Sequence, residues 1–209
     1  MMTKKEIVLL AVEALKKEYP DALCSLDYSS PLQLLIAARL SAQCTDARVN
    51  LVTPALFERY KTVEDFASAD ADEVARYIHS CGFYATKSRD IVGMCQMMLK
   101  DYDGQLPDSI EELTKLPGIG RKTANLIMGD VYGKPAVVTD THMIRLCNRL
   151  GLVKTKEPKK VEDAMRKLLP SDESNDFCHR TVLHGRAVCT ARKANCDRCC
   201  MADFCKKVL

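Results

Sequence analysis

The sequence contains no tryptophan, and aromatic residues make up only 6% of its 209 residues. It also lacks any apolar run near the ~20 residues that a membrane-spanning helix needs. Residues 1–15 have a basic start, but charged residues then interrupt the apolar ones at helical spacing, so we expect no signal peptide. Runs that alternate polar and apolar residues, which are typical of β-strands, are absent too. These absences predict an all-α, cytoplasmic protein that does not associate with a membrane.

Charge is distributed unevenly, although the formal net charge is only +3. Residues 1–114 carry 12 Lys and Arg against 18 Asp and Glu, whereas residues 115–209 carry 19 against 10. A basic half favours a polyanionic partner, and DNA or RNA is the usual one. A solvated basic face would have the same composition, so charge alone leaves both interpretations open.

Cysteine is abundant, with 11 residues, and five of them lie in the last 21 positions. Cys189, Cys196, Cys199 and Cys205 form the pattern C-x6-C-x2-C-x5-C, with Cys200 beside the third. Four thiolates in a short segment hold either a zinc ion or a [4Fe–4S] cluster. Structural zinc usually has two short ligand pairs, whereas this segment has one, which weighs against zinc without excluding it. The six isolated cysteines are interpreted as small buried apolar residues.

Helical patterns run along most of the chain. Ser30 followed by Pro31 predicts a helix start, and Thr62 and Asp70 are predicted N-caps of two short helices. The predicted helices cover residues 32–42, 47–60, 87–100, 108–115, 121–131, 158–169 and 173–188, with a further one capped by Thr139 or Asp140. Only residues 135–138 look strand-like, and that segment is too short to need a sheet.

A glycine-rich turn joins two short helices at residues 116–120. Gly118 and Gly120 allow the backbone to approach a large ligand closely, and the free N–H groups of the second helix could bind a phosphate. A plain helix–helix turn also favours glycine. However, Arg121 and Lys122 place cations at a helix N-terminus, which costs about 0.3–1 kcal/mol each unless an anion binds there.

Lys122 and Asp140 are the candidate reactive residues. A lysine amine can act as a nucleophile and form a Schiff base, although most helical lysines are merely solvated. Asp140 follows a short extended segment, where an aspartate commonly caps a helix. One carboxylate oxygen can cap while the other acts on a nearby amine, so the two roles are compatible.

The hairpin, Lys122 and Asp140 eighteen residues later together resemble the helix-hairpin-helix DNA glycosylases. Matching segments at 40–46, 82–87 and 183–186, with the terminal cysteines, make the chain similar to the endonuclease III family from about residue 5 onward. The resemblance implies a six-helix barrel domain at 24–134, with the helix-hairpin-helix at about 108–131. It implies an iron–sulfur domain made of 1–23 and 135–209, in which the four patterned cysteines hold a [4Fe–4S] cluster.

The resemblance also implies a function. A bacterial-type, monomeric enzyme would remove oxidised pyrimidines from double-stranded DNA with damaged bases or abasic sites, and would cleave the abasic site by β-elimination. Lys122 would attack the sugar, assisted by Asp140. The resemblance places Gln43 and Phe83 at the DNA. The hairpin residues Leu116, Gly118, Gly120 and Arg121 are expected to bind DNA as well, and Arg192 and Lys193 of the cysteine segment would present cations to its phosphates. A flipped nucleotide leaves a gap in the duplex that Gln43 and Phe83 would fill.

Several alternatives remain at this point. The family commonly has an aliphatic residue where this chain has Phe83, so a core aromatic is the simpler interpretation there, and Gln43 could be an exposed helix-end amide. A monofunctional adenine glycosylase of the same superfamily typically has Ser or Tyr at the position of Lys122, and Glu where this chain has Ala38. A non-enzymatic iron–sulfur DNA-binding module would leave Lys122 and Asp140 unexplained.

Overall fold

The computed structural model describes residues 2–208, and the chain divides into two compact units. One unit is Cys24–Tyr132, and the other joins Met1–Leu23 to Gly133–Leu209. Across residues 2–208 all regular structure is helical apart from an isolated β-bridge between Cys189 and Ala194. This confirms the predicted all-α class. No helix within the described range is long and apolar enough to cross a membrane.

Eleven α-helices and two short 3-10 helices are present in the described residues. The α-helices are α1 (Lys4–Glu18), α2 (Pro31–Leu40), α3 (Asp46–Arg59), α4 (Val63–Ala67), α5 (Ala71–Tyr77), α6 (Tyr84–Asp101), α7 (Ile110–Leu113), α8 (Arg121–Asp130), α9 (Thr141–Arg149), α10 (Pro158–Leu168) and α11 (Ser174–Ala187). The 3-10 helices are His79–Cys81 and Cys196–Arg198. The unit 24–132 therefore contains six α-helices of five or more residues and the four-residue α7.

Local capping chemistry places most helix starts where the sequence predicts them. The Ser30 hydroxyl accepts a hydrogen bond from the Gln33 amide, and Thr62 forms a reciprocal capping box with Asp65. Asp70 caps α5 as predicted, accepting from the backbone N–H of Asp72.

Several predicted boundaries differ from the observed ones by one to three residues. Helix α6 begins at Tyr84 and not at Lys87, because the Gly82–Phe83 turn lies directly before it. Helix α7 begins at Ile110, since the Ser109 side chain provides the cap, and α8 ends at Asp130. The strand-like segment 135–138 has no strand partner and stays extended.

Helices α2 and α6 form the centre of the unit 24–132. Helix α2 packs against α3, α6 and α8, while α4 and α5 cover α6. The α2 side chains from Leu34 to Ala37, and Leu40, are fully buried. Burying a large aliphatic side chain contributes about 1.5–3 kcal/mol, so α2 is held rigidly along its length.

In the other unit, α1 packs against α10 and α11, and α9 packs against the same two helices. An ion-pair network reinforces this packing: the nearly buried Arg180 binds Glu173 and Asp176, and Lys16 pairs with Glu173. Because Arg180 is only 4% exposed, its charge needs these carboxylates nearby.

The hairpin at 116–120 rests on a partly buried ion pair between α2 and α6. Arg39 binds the Asp90 carboxylate through Nε at 2.9 Å and through the terminal guanidinium nitrogen at 2.5 Å. Gly118 lies directly over this pair with a φ of +73°, and a Cβ added there would lie 2.6 Å from Asp90 Oδ2. Leu116 and Ile119 point their side chains into the core. Gly118 is therefore required both for its backbone conformation and for the close approach.

We expect Gly118→Ala to lower the free energy of unfolding by about 1–3 kcal/mol, because the new Cβ is strained at positive φ and collides with the ion pair. Gly120→Ala is the matched control. Gly120 has a φ of −93° and open space around its Cα, so its stability should stay within about 0.5 kcal/mol of wild type. Urea denaturation of both variants makes the comparison, and equal losses would contradict the close approach at Gly118.

Candidate functional site

The N-terminus of α8 is open to an anion. Its N-cap is Gly120, which has no side chain to cover the helix end, and the first turn contains no acidic residue. The first N–H groups of a helix have no carbonyl partner inside that helix, and they lie at the positive end of its dipole. Helix ends of this kind are the geometry in which proteins bind phosphate.

Lys122 is exposed in the first turn of α8, and the helix is anchored behind it by buried residues such as Ala124 and Ile127. Its amine is therefore free to reach a bound ligand while its backbone stays fixed. The Leu116 side chain is buried, and its N–H donates to Leu113. The buried Leu116 side chain consequently anchors the hairpin to the core.

Gln43 and Phe83 share an unusual backbone conformation. Their φ angles are +54° and +48°, in the left-handed region, which costs a non-glycine residue roughly 1–2 kcal/mol. Phe83 is 66% exposed, so the interpretation of Phe83 as a core aromatic is wrong. Gln43 is exposed as well. Backbone strain at two exposed residues, of which one is a large aromatic, is typical of a functional surface.

Asp140 is the N-cap of α9, so the choice between Thr139 and Asp140 is settled in favour of Asp140. Its Oδ1 accepts a hydrogen bond of 2.8 Å from the Met143 amide. The His142 ring lies nearby, where burial lowers the pKa of His142 although the Asp140 charge opposes the shift. Asp140 belongs to the unit with the C-terminal cysteines, whereas Lys122 belongs to the unit 24–132.

The four patterned cysteines line one pocket of about 340 Å³, solvent space included. Cys200 is not among the residues that line it. Among the described residues, no three or more His, Cys, Asp or Glu side chains are spaced to share a single metal ion. One zinc ion needs all four sulfurs about 2.3 Å from a common point, whereas each cysteine of a four-iron cluster binds a different iron. Four thiols around one pocket are a donor set that a [4Fe–4S] cluster could use.

Two arginines of α9 hold the first cysteine of this pocket. Arg149 donates to the Thr190 carbonyl at 2.8 Å and lies 3.1 Å from the Cys189 sulfur. Arg145 donates to the Cys189 carbonyl at 3.0 Å. Neither arginine was singled out from the sequence. Their spacing of four residues, which puts both on one face of a helix, is the signal that could have identified them.

His184 of α11 supports the same pocket from the other side. It is fully buried, its Nε2 lies 3.3 Å from the Cys199 sulfur, and its Nδ1 lies 3.2 Å from the Tyr19 hydroxyl. Burial lowers the pKa of His184, so the ring is neutral at pH 7. The structure thus places the His184 imidazole against the Cys199 sulfur.

Arg192 and Lys193 lie in the turn that follows Cys189, and both are exposed. The turn is ordered by Thr190, whose hydroxyl accepts a hydrogen bond from the Lys193 amide at 3.1 Å. Both cations therefore extend from a fixed backbone, where they could contact phosphates.

Comparisons with known proteins agree with this geometry. Residues 36–171 match the HhH-GPD superfamily of base excision DNA repair proteins. Endonuclease III of Synechocystis sp. is 47% identical over 206 residues, which cover 98% of this chain and 94% of the relative.

Two solved structures are similar to this chain over almost its whole length. A non-covalent endonuclease III–DNA complex and a trapped covalent endonuclease III–DNA intermediate each superpose with a TM-score of 0.92 at 39% identity. Each match covers 99% of this chain and 97% of the other. On this combined identity, coverage and fold, the chain belongs to the endonuclease III family of the HhH-GPD superfamily of base excision DNA repair proteins.

Proposed function

We propose that this enzyme removes oxidised pyrimidines from double-stranded DNA and cleaves the resulting abasic site by β-elimination. Family membership makes the chain a DNA glycosylase and abasic-site lyase of base excision repair. A covalent DNA intermediate has been trapped for endonuclease III. The observation that carries the residue assignment is the exposed Lys122 at the open N-terminus of α8, directly after the glycine hairpin.

In the proposed reaction the Lys122 amine attacks C1′ of the damaged nucleotide, and the base departs with the C1′–N bond electrons. As the C1′–O4′ bond breaks and the sugar ring opens, one amine proton passes to the departed base and the other to O4′, which leaves a Schiff base at C1′. The Schiff base acidifies the 2′ position, so loss of a 2′ proton expels the 3′ phosphate and breaks the strand. Asp140 assists proton transfer and stabilises the positive charge that develops on the sugar.

DNA binding is assigned to three surfaces. The backbone amides around Gly118, Gly120 and Arg121 bind a phosphate, with Leu116 fixing the turn. Gln43 and Phe83 enter the gap that the flipped nucleotide leaves. The third surface contains Arg192 and Lys193, which contact phosphates without reading sequence.

A [4Fe–4S] cluster is assigned to Cys189, Cys196, Cys199 and Cys205, because these thiols line one pocket. Bound there, the cluster crosslinks the C-terminal segment. Its task is structural, since it shapes the turn that presents the exposed cations. The iron–sulfur domain would comprise 1–23 and 135–209, beside a barrel domain at 24–134, in a monomer that works in the bacterial cytoplasm.

Neither alternative explains the chain as well. A lysine at position 122 and alanine at position 38 are not the residues of an adenine glycosylase site. A non-enzymatic DNA-binding module is not favoured, because the similarity to endonuclease III extends over nearly the whole chain.

Lys122→Gln should abolish the borohydride-trapped adduct with a duplex that contains one abasic site, while the Kd for the same duplex changes little, because only the nucleophile is removed. Lys115→Gln removes an exposed lysine on the other side of the hairpin and should trap normally. An adduct from Lys122→Gln at the wild-type rate would place the nucleophile elsewhere.

Asp140→Asn separates charge from capping, because Asn and Asp cap helices about equally well. We expect wild-type thermal stability and a fall in kcat of about 10²–10⁴-fold, the range typical of a lost acid–base group. Asp140→Ala should lose the same activity and an additional ~0.5–2 kcal/mol of stability. Normal kcat in the Asn variant would reduce Asp140 to a helix cap.

Purified protein should be yellow-brown and contain about four iron atoms per chain, as expected for a [4Fe–4S] cluster. Cys199→Ser should lower the iron content and the visible absorbance. Cys200→Ser is the matched control and should leave both unchanged, because Cys200 does not line the pocket. Stoichiometric zinc in anaerobically prepared, colourless protein would overturn the assignment.

A further inference from the structure

Lys87 is a buried lysine to which the proposed reaction assigns no role. It lies in the first turn of α6 and is 1% exposed. Its ammonium donates one hydrogen bond of 2.8 Å to the Leu40 carbonyl and another of 2.9 Å to the Cys81 carbonyl. A buried ammonium is costly unless such acceptors surround it. Lys87 therefore connects two segments that are 41 residues apart in the chain.

Each of these two carbonyls lies just before a strained, exposed residue. Leu40 ends α2 three residues before Gln43, and Cys81 ends its 3-10 helix two residues before Phe83. Residues 2–208 contain only four non-glycine residues with positive φ, and Gln43 and Phe83 are two of them. The Lys87 amide also donates to the Phe83 carbonyl at 3.0 Å. Lys87 thus makes two hydrogen bonds to the Phe83 turn, one from its ammonium and one from its backbone amide. It makes one hydrogen bond to the segment that leads to Gln43.

We propose that Lys87 is a positioning residue that fixes Gln43 and Phe83 relative to each other, so that both side chains enter the DNA stack together. The proposal rests on the proposed function, because it takes Gln43 and Phe83 as the residues that fill the gap. Lys87 itself contacts no DNA. It acts through the backbone of the two segments.

The chemistry of the site explains why a lysine is needed there. Two carbonyls from different segments need a donor between them, and a charged donor forms stronger hydrogen bonds than a neutral one. Burial lowers the pKa of Lys87, while the nearby Cys44 and Cys81 thiols oppose that shift. An apolar side chain of similar length would fill the space but leave both carbonyls without this donor. The two segments would then be free to separate.

The experiment uses the full-length protein and two duplexes, one undamaged and one with a reduced abasic-site analogue opposite 2-aminopurine. The fluorescence of 2-aminopurine rises when that base is unstacked. Lys87→Met should bind undamaged duplex like wild type. On the analogue duplex it should bind at least tenfold more weakly, with most of the fluorescence rise lost. On cleavable abasic DNA, kcat should fall more than KM rises.

Three further variants make the comparison specific. Ser88→Ala removes the hydroxyl of another 1%-exposed residue, which hydrogen-bonds only within α6, to the Ala85 carbonyl, and it should match wild type in every readout. Lys87→Arg keeps a charged donor and should recover part of the fluorescence rise. Lys87→Gln is too short to join both carbonyls and should behave like Lys87→Met, which provides the test if the Met variant is unstable.

A double-mutant cycle with Phe83→Ala tests whether Lys87 acts through the Phe83 turn. If it does, adding Lys87→Met to Phe83→Ala should cost less affinity for the analogue duplex than Lys87→Met costs in the wild-type background. Additive losses, or equal weakening on both duplexes, would make Lys87 a merely structural residue and overturn the proposal. The proposal would also be overturned if Lys87→Met distinguished the two duplexes as well as the wild-type protein does.

Different outcomes test the proposed function and the role of Lys87. If wild-type protein gives no borohydride-trapped adduct on abasic DNA, the proposed function is wrong and the inference fails with it. If wild-type protein traps normally and Lys87→Met discriminates like wild type, only the role of Lys87 is lost.

Discussion

The last turn of α2 is the constraint on which the proposed DNA-binding surface of residues 24–132 depends. The helix is buried along most of its length, so its end cannot shift without disturbing the core. From this turn Arg39 binds Asp90 beneath the hairpin, and the Leu40 carbonyl accepts the buried ammonium of Lys87. Gln43 follows three residues later. The hairpin that is proposed to bind phosphate and both strained turns are therefore set against one rigid helix end.

Helix α9 has the corresponding role in the other unit. Its N-terminus is capped by Asp140, and Arg145 and Arg149 on the same helix bind the backbone of the cysteine segment. The proposed catalytic carboxylate and the proposed cluster loop thus share one short helix. A cluster bound there would therefore be connected mechanically to the proposed catalytic carboxylate through this one helix.

The sequence predicted those features that depend on chemistry between near neighbours in the chain. Caps such as Ser30, the glycine hairpin and the cysteine spacing all belong to this class, and so the helical class and most boundaries followed. Burial and contacts between distant segments could not be predicted from the sequence. The burial of Lys87 was not predicted, although the residue falls in register with the buried face of α6 that contains Ile91 and Met94. The exposure of Phe83 likewise depends on a left-handed turn that no local sequence pattern predicted.

The division of the chain between its units also has a consequence for biosynthesis. Helix α1 packs against α10 and α11, and its Lys16 pairs with Glu173, which is 157 residues later. At 5–20 residues per second, a ribosome needs roughly 8–31 s to synthesise that stretch. Helix α1 is made early, and an isolated helix of this length is only marginally stable in water. It therefore remains without its packing partners until α10 and α11 have been made. Residues 24–132 are complete before its partners exist, and the cysteine segment is translated after them. The newly made protein therefore packs α1 and closes its cysteine segment only after residues 24–132 have been made.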